Sequence, residues 1–268
     1  MKGILFYHSN SGNTQLVCNT LQHQLQAVKL TLHDVADKPL PDMNQFDIVG
    51  FATWTYFLGL PPFFQTFLDD LPQQTGKPAF AMNTFGMMSG QAIKRLTDQL
   101  NAKGFVVIAA HSLHTPESYP PYIIKGWDNI DAPDTKLLKA FHNFIGELDK
   151  KLTQLIQDTP VTKTNVKIGL FNHLIRPYSL TKARKQMGTL FVDTNLCTEC
   201  GLCAEKCLYN AITMNPNPMF DAEKCHVCWA CFNHCPEKAI FTEKIKSVGH
   251  YSEPNPHFTE KMSVEKVY

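Results

Sequence analysis

Over the first 158 residues, short apolar runs alternate with stretches whose apolar positions recur every three or four residues. The runs are Ile4-Leu5-Phe6-Tyr7, Leu30 to Val35, Ile48 to Ala52, Ala79 to Asn83 and Val106 to His111. Runs this short, with few polar interruptions, read as strands buried on both faces, and the helical patterns between them supply the covering layers. Behind the first run, Leu16, Val17, Thr20, Leu21, Leu25 and Val28 keep helical spacing. Over residues 134–157, Leu137, Leu138, Phe141, Ile145, Leu148, Leu152, Leu155 and Ile156 form one helical stripe, ended by Thr159-Pro160. The expected fold is α/β, a five-stranded doubly wound parallel sheet spanning residues 1–158.

Beyond residue 158 the pattern changes. Within the connector, residues 159–190, Ile168, Phe171 and Ile175 share a helical face, which predicts a short helix over Val166 to Arg176 closed by Pro177. Its apolar face is expected to bridge the domains on either side. Residues 191–246 read as a second, small α+β domain. Residues 247–268 are a polar tail broken by Pro254 and Pro256, with two readings open, a wrap around a domain or a disordered end. A net charge of +1 and 44% apolar residues fit a globular protein of about two domains. No uncharged run approaches the roughly 18 to 20 residues of a membrane span. The basic excess is confined to the connector, which holds 6 basic and 0 acidic side chains against 12 and 14 in residues 1–158. That stripe reads either as a solvated linker or as a docking strip for an acidic electron carrier. No basic-aromatic module accompanies it, so nucleic acid is not an expected partner.

Eight of the nine cysteines fall into two copies of one pattern, Cys197-x2-Cys200-x2-Cys203-x3-Cys207 and Cys225-x2-Cys228-x2-Cys231-x3-Cys235, 28 residues apart. Three thiolates at three-residue spacing let one short loop wrap a four-iron, four-sulfur cubane, and the fourth cysteine is carried toward the other half and serves its cluster. This assigns one [4Fe-4S] cluster to Cys197, Cys200, Cys203 and Cys235, and a second to Cys225, Cys228, Cys231 and Cys207. Structural zinc takes its ligands as separated pairs instead. A disulfide framework fits poorly too: the opening, Met1-Lys2-Gly3-Ile4, has no secretory pattern, and a reducing, cytoplasmic setting is expected. The repeat extends past the ligands, with Asp193 matching Asp221, Ala211 matching Ala239 and Ile212 matching Ile240. Residues 191–246 therefore resemble a bacterial-type two-cluster ferredoxin. Cys235 is followed by Pro236 but Cys207 by Leu208, a departure expected to shift a potential or loop rigidity without loss of the site. His226 and His234 are expected non-ligands, since eight cysteines complete both clusters. Cys18, on the first helix, reads as a small buried apolar residue.

The loop after the first apolar run, Ser9-Asn10-Ser11-Gly12-Asn13-Thr14, is small and hydroxylated and lies at a helix N-terminus, where unpaired donors and the helix dipole favour a phosphate. It lacks the lysine of a Walker loop. Taken alone, such a turn is more often just a helix cap than a ligand loop. Two further uncharged loops follow the third and fourth runs, Thr53 to Pro61 and Thr84 to Gly90, at the carboxyl ends where open parallel sheets bind ligands. With Ser9, Ser11, Gly12 and Thr14 meeting the pattern Ser/Thr-x-Ser/Thr-Gly-x-Thr, the first domain resembles a flavodoxin. That resemblance implies FMN, its phosphate held by residues 9–14 and its ring flanked by Trp54, Tyr56, Phe85 and the backbone at Gly86. The whole chain is similar to fused flavodoxin-like and ferredoxin proteins of the EFR-type ferrodoxin family. Gly50, Phe51, Tyr56, Leu60 and Pro61 carry one of that family's patterns, whereas in Thr115-Pro116-Glu117-Ser118-Tyr119 only Pro116 and Tyr119 fit a second.

Each cluster passes one electron and a flavin holds one or two, so the expected function is electron transfer between two [4Fe-4S] clusters and FMN. The competing reading is an FMN-dependent reductase of a small molecule fed by its own ferredoxin domain, with His111, His114 or Tyr119 as proton donor. The partner is accordingly a redox protein or a small-molecule electron acceptor. Neither substrate nor oligomeric state is written in the sequence.

Overall fold

The five apolar runs become five parallel strands. In the computed structural model, which describes residues 1–37, 39–246 and 248–263 apart from the side chains of Phe171 and His173, the first domain runs β1 (Lys2–Tyr7), α1 (Asn13–Gln24), β2 (Lys29–Asp34), β3 (Ile48–Trp54), α2 (Pro62–Asp70), β4 (Pro78–Phe85), α3 (Ala92–Ala102), β5 (Val106–His114), α4 (Pro120–Ile123) and α5 (Thr135–Ile156). The strand order is β2-β1-β3-β4-β5, every pairing parallel. The sheet is doubly wound because its strands are apolar on both faces. Leu5, Phe80 and Ile108 pack with Val17, Leu21, Phe141 and Leu148 of α1 and α5 on one side. Ile4, Phe51 and Val107 pack with Phe64, Leu68, Leu96 and Leu100 of α2 and α3 on the other. Cys18 is fully buried in the first of these layers, and burial drives its thiol pKa far up.

The connector corrects one expectation. Helix α6 covers only Leu170–Leu174, not Val166 to Arg176: Val166 and Ile168 lie outside any helix and pack against the α2/α3 layer, with Thr164 N–H donating to Val107 O at 2.8 Å. The side chain of Phe171 lies outside the described residues. Leu170 and Leu174 are 75% and 70% exposed, whereas Ile175 is half-buried and its carbonyl accepts from Gln91 Nε2 at 2.9 Å. A helix that the sequence reading missed, α7 (Leu180–Met187), does the linking. Ser179 caps it by accepting from Lys182 N–H, and Ala183 and Met187 are buried in the core of the second domain. One cation of the basic stripe turns inward: Arg184 Nε donates to Cys225 O at 2.9 Å, and its Nη2 to Glu223 O.

The second domain comprises β6 (Leu190–Val192), α8 (Leu202–Glu205), β7 (Ile212–Asn215), β8 (Asn217–Phe220), α9 (Ala230–Asn233) and β9 (Ile240–Thr242). Its halves exchange strands. β6 from the start of the first pairs antiparallel with β9 from the end of the second, and β7 with β8. The equivalent bonds Asp193 N–H to Ala239 O and Asp221 N–H to Ala211 O, both 2.8 Å, express that symmetry. The exchange carries each half's last cysteine to the other half's loop.

Of the two readings of the tail, the wrap is the one found. His250 stacks on Phe232 with centroids 4.0 Å apart, and α10 (Pro256–Ser263) lies on α1, with Phe258 and Met262 in the first domain's core. Thr20 Oγ1 donates to Met262 O at 2.9 Å.

Candidate functional site

The carboxyl ends of β1, β3, β4 and β5 meet the second domain, and their loops enclose a cleft of about 1070 Å³ of space counting its open mouth. Asn10, Ser11, Asn13, Thr14, Trp54, Tyr56, Phe85 and Gly86 all line it. Ser9 and Gly12 do not reach its wall. Ser9 Oγ is buried without a partner. Gly12 adopts φ +86°, and a Cβ there would come within 2.6 Å of the tail's Pro254. The loop before α1 has no side-chain cap, and among the described residues no acceptor meets the backbone N–H of Ser9, Asn10, Ser11 or Gly12. Its side chains are nonetheless fixed. Thr14 and Thr84 share a hydroxyl bond of 2.9 Å, Asn13 Nδ2 donates to Pro116 O at 3.0 Å, and Tyr251 Oη of the tail donates to Asn13 Oδ1 at 2.8 Å.

The loop after β3 folds into a tight turn, with Tyr56 and Gly59 exchanging both backbone bonds across Phe57 and Leu58. The turn pushes Phe57 into an aromatic cluster that spans the molecule. Phe57 meets Tyr56, Tyr119 and the connector's Tyr178 at 4.7, 5.6 and 5.9 Å, and Tyr119 meets Trp229 of the second domain at 6.0 Å. Tyr56 Oη donates to His226 O at 2.6 Å, Asn10 Nδ2 to Cys228 O at 2.7 Å, and Asn233 Nδ2 to Ser118 O at 3.0 Å.

Glu117, which the sequence reading did not single out, is a buried carboxylate in the cleft wall. Burial raises its pKa, opposed by the donors it accepts from, Tyr119 N, Ser118 N and Met87 N at 3.0, 2.9 and 3.1 Å. It thereby ties the loop after β4 to the loop after β5. Neither His111 nor His114 is among the residues that line the cleft. His111 stacks on Phe144 at 5.0 Å and burial drops its pKa to about 4. His114 stacks on Phe85 at 5.3 Å, its pKa also lowered by burial. Tyr119 lines the cleft, its buried hydroxyl without a partner and its pKa raised by burial.

The eight repeat cysteines surround two smaller cavities. Cys197, Cys200, Cys203 and Cys235 line one, and Cys207, Cys225, Cys228 and Cys231 line the other. Among the described residues no group of three or more His, Cys, Asp or Glu converges as a single ion requires. The thiols ring a space instead of a point, as suits a polyatomic cluster. His226 lines the second cavity and stacks on Tyr209 at 4.1 Å, its Nδ1 buried without a partner, and His234 Nε2 is 2.7 Å from Asn10 O. Val227, Cys228 and Trp229 belong at once to the wall of the second cavity and to that of the large cleft. The first cavity shares no lining residue with the cleft, and its Cys200 is exposed.

The profile of the family described as flavodoxin domain matches residues 4–163. That described as 4Fe-4S binding domain matches twice, over residues 190–213 and 218–241. Among solved structures, a flavodoxin from the domain Archaea is similar at 18% identity over 57% of this chain and 99% of its own, with a TM-score of 0.43. The two-electron reduced flavodoxin of Megasphaera elsdenii is 21% identical over 42% of this chain and 85% of its own, with a TM-score of 0.38. No curated protein gives a significant match.

Proposed function

Since this chain belongs to the flavodoxin-domain family and joins to that domain two 4Fe-4S binding domains, we propose that it relays electrons from an outside partner through the cluster of Cys197, Cys200, Cys203 and Cys235, then that of Cys225, Cys228, Cys231 and Cys207, to FMN. That the protein is an electron-transfer flavin and iron-sulfur protein, with FMN and two [4Fe-4S] clusters as its cofactors, follows from the two families. The order is our own reading. It rests on one observation above the rest, the wall of Val227, Cys228 and Trp229 that separates the large cleft from the second cysteine cavity.

The cleft fits a flavin. The Ser9 to Gly12 amides at the start of α1 have no described acceptor, as an anion-binding loop requires. Trp54 Nε1, Tyr119 Oη and Trp229 Nε1 are buried donors without partners, and all three belong to residues of its wall. Buried donors left unpaired cost about 1–3 kcal/mol each, so three around one cleft point to a polar ligand that pairs them. When bound, the flavin supplies a site that holds one or two electrons. The chain's own residues do the rest. Asn10, Ser11, Asn13 and Thr14 receive the phosphate, Trp54, Tyr56 and Phe85 border the ring, and Tyr178, Tyr119 and Trp229 keep water from it. With the ring bordered from the connector and from the second domain, electrons have a short covered path.

The order is tested with Cys200→Ser and Cys207→Ser in the full chain. Cys200→Ser should slow reduction of the flavin by an external one-electron donor and leave the step from the inner cluster to the flavin unchanged. Cys207→Ser should perturb the electron paramagnetic resonance of the inner cluster and abolish that step. The opposite assignment of effects contradicts the order.

A further inference from the structure

The two halves of the cysteine repeat differ at a position next to the cleft. The residue after the second cysteine is Gly201 in the first half and, 28 positions later, Trp229 in the second. Both hold the left-handed backbone that starts a short helix, with φ of 74° and 63°. Glycine takes this conformation without steric cost, whereas a residue with a Cβ is strained there, and such strain persists where the surroundings impose it for a purpose. A Cβ added at Gly201 meets nothing within 4 Å, so space does not explain the contrast between the halves.

Trp229 is 4% exposed. Its ring lies edge to face with Tyr119 at 6.0 Å and with Phe232 at 5.3 Å. Its one polar atom, Nε1, is buried and without a partner. The neighbouring Tyr119 hydroxyl is in the same condition. The residue sits in the loop between Cys228 and Cys231 and forms part of the walls of both the flavin cleft and the inner cluster cavity. Left-handed backbone recurs in both cysteine loops, at Glu199 and Val227 as well, and core packing accounts for the Trp229 ring, but neither accounts for an unpaired indole N–H at a ligand cleft.

Resting on the reading that FMN occupies the large cleft, we infer that Trp229 is a flavin-binding and positioning residue contributed by the iron-sulfur domain. Its indole closes the cleft from the cluster side, and its N–H donates to a polar atom of the bound flavin. The loop that ligates the inner cluster is thereby keyed to the flavin, and loss of either feature alters how the flavin is held. The indole takes up no electron. One electron leaves the reduced cluster and one is gained by the flavin, with no bond made or broken.

The test uses the full chain with both clusters reconstituted anaerobically, in wild type, Trp229→Phe and Trp229→Gly. FMN affinity is read by fluorescence titration after flavin removal, the flavin midpoint potential by redox titration, and the clusters by electron paramagnetic resonance. Trp229→Phe keeps a ring and removes the N–H. It should weaken FMN binding roughly five- to tenfold, as loss of one hydrogen bond does, and shift the flavin midpoint potential with cluster spectra unchanged. Trp229→Gly restores the residue used by the other half and should weaken FMN further with both clusters retained. An affinity within twofold of wild type together with an unshifted flavin midpoint potential in Trp229→Phe would overturn the inference whatever Trp229→Gly does to the fold. A wild-type chain that took up no FMN would instead overturn the reading of the cleft, and this inference with it.

Discussion

Thr14 shares its hydroxyl with Thr84 at 2.9 Å, and Ser11 lies beside it at the start of α1, 6% exposed. A carboxylate there would meet the FMN phosphate in a loop with little water. Ser11→Glu and Thr14→Glu are therefore expected to abolish FMN retention while both clusters stay, measured as flavin and iron content after anaerobic purification. Full flavin content in both variants would remove the phosphate from this loop. His111 carries a pH dependence whose sign is fixed by burial. Its pKa falls from 6.5 to about 4 in the folded chain. Above pH 6.5 both folded and unfolded states are neutral there. Between 6.5 and 4 the unfolded chain binds a proton the folded one refuses, so stability declines as pH falls through that window. His250 is lowered to about 4 as well, so His111→Phe should flatten the decline in part, seen as a smaller loss of denaturation midpoint between pH 7 and pH 5 than in wild type.

At the scale of elements, α10 shows how far local pattern reaches. The five strands and α5 were legible because their apolar residues follow one period within one segment, and the cysteine cavities because the spacing within each loop is itself the constraint. Phe258 and Met262 carry no such signal: two apolar residues in a polar tail become core only through their contact with α1, some 240 positions away in the sequence. The connector failed for the same reason in reverse. Ile168 has helical spacing with Phe171 and Ile175, yet Val166 and Ile168 pack on the α2/α3 layer outside any helix, and the linking helix starts later, at the Ser179 cap. Trp229 had a signal that a repeat-by-repeat comparison with Gly201 exposes, whereas Tyr178 had none, since its stacking on Phe57 is settled by the meeting of the connector with the β3 loop. Phe258 is fully buried, so Phe258→Ala should lower stability by about 3–5 kcal/mol through lost burial and the cavity left behind. A denaturation midpoint near wild type would show that the tail is a passive cover.

For the whole molecule, hydrogen bonds from Tyr56 to His226 O, Asn10 to Cys228 O and Asn233 to Ser118 O, and between His234 Nε2 and Asn10 O, bind the domains beside the cleft. Arg184 pins the connector to the loop of Cys225. Among the described residues no helix is long and apolar enough to cross a membrane. In the proposed relay the inner cluster and the flavin lie on two sides of the wall of Val227, Cys228 and Trp229 in a single chain, so their exchange would be unimolecular. The most direct measurement is the rate of flavin reduction that follows rapid reduction of the clusters, recorded over a range of protein concentrations. The account predicts a first-order rate constant independent of concentration, lost in Cys207→Ser. A rate that rises in proportion to protein concentration would mean transfer between molecules, and would contradict the relay.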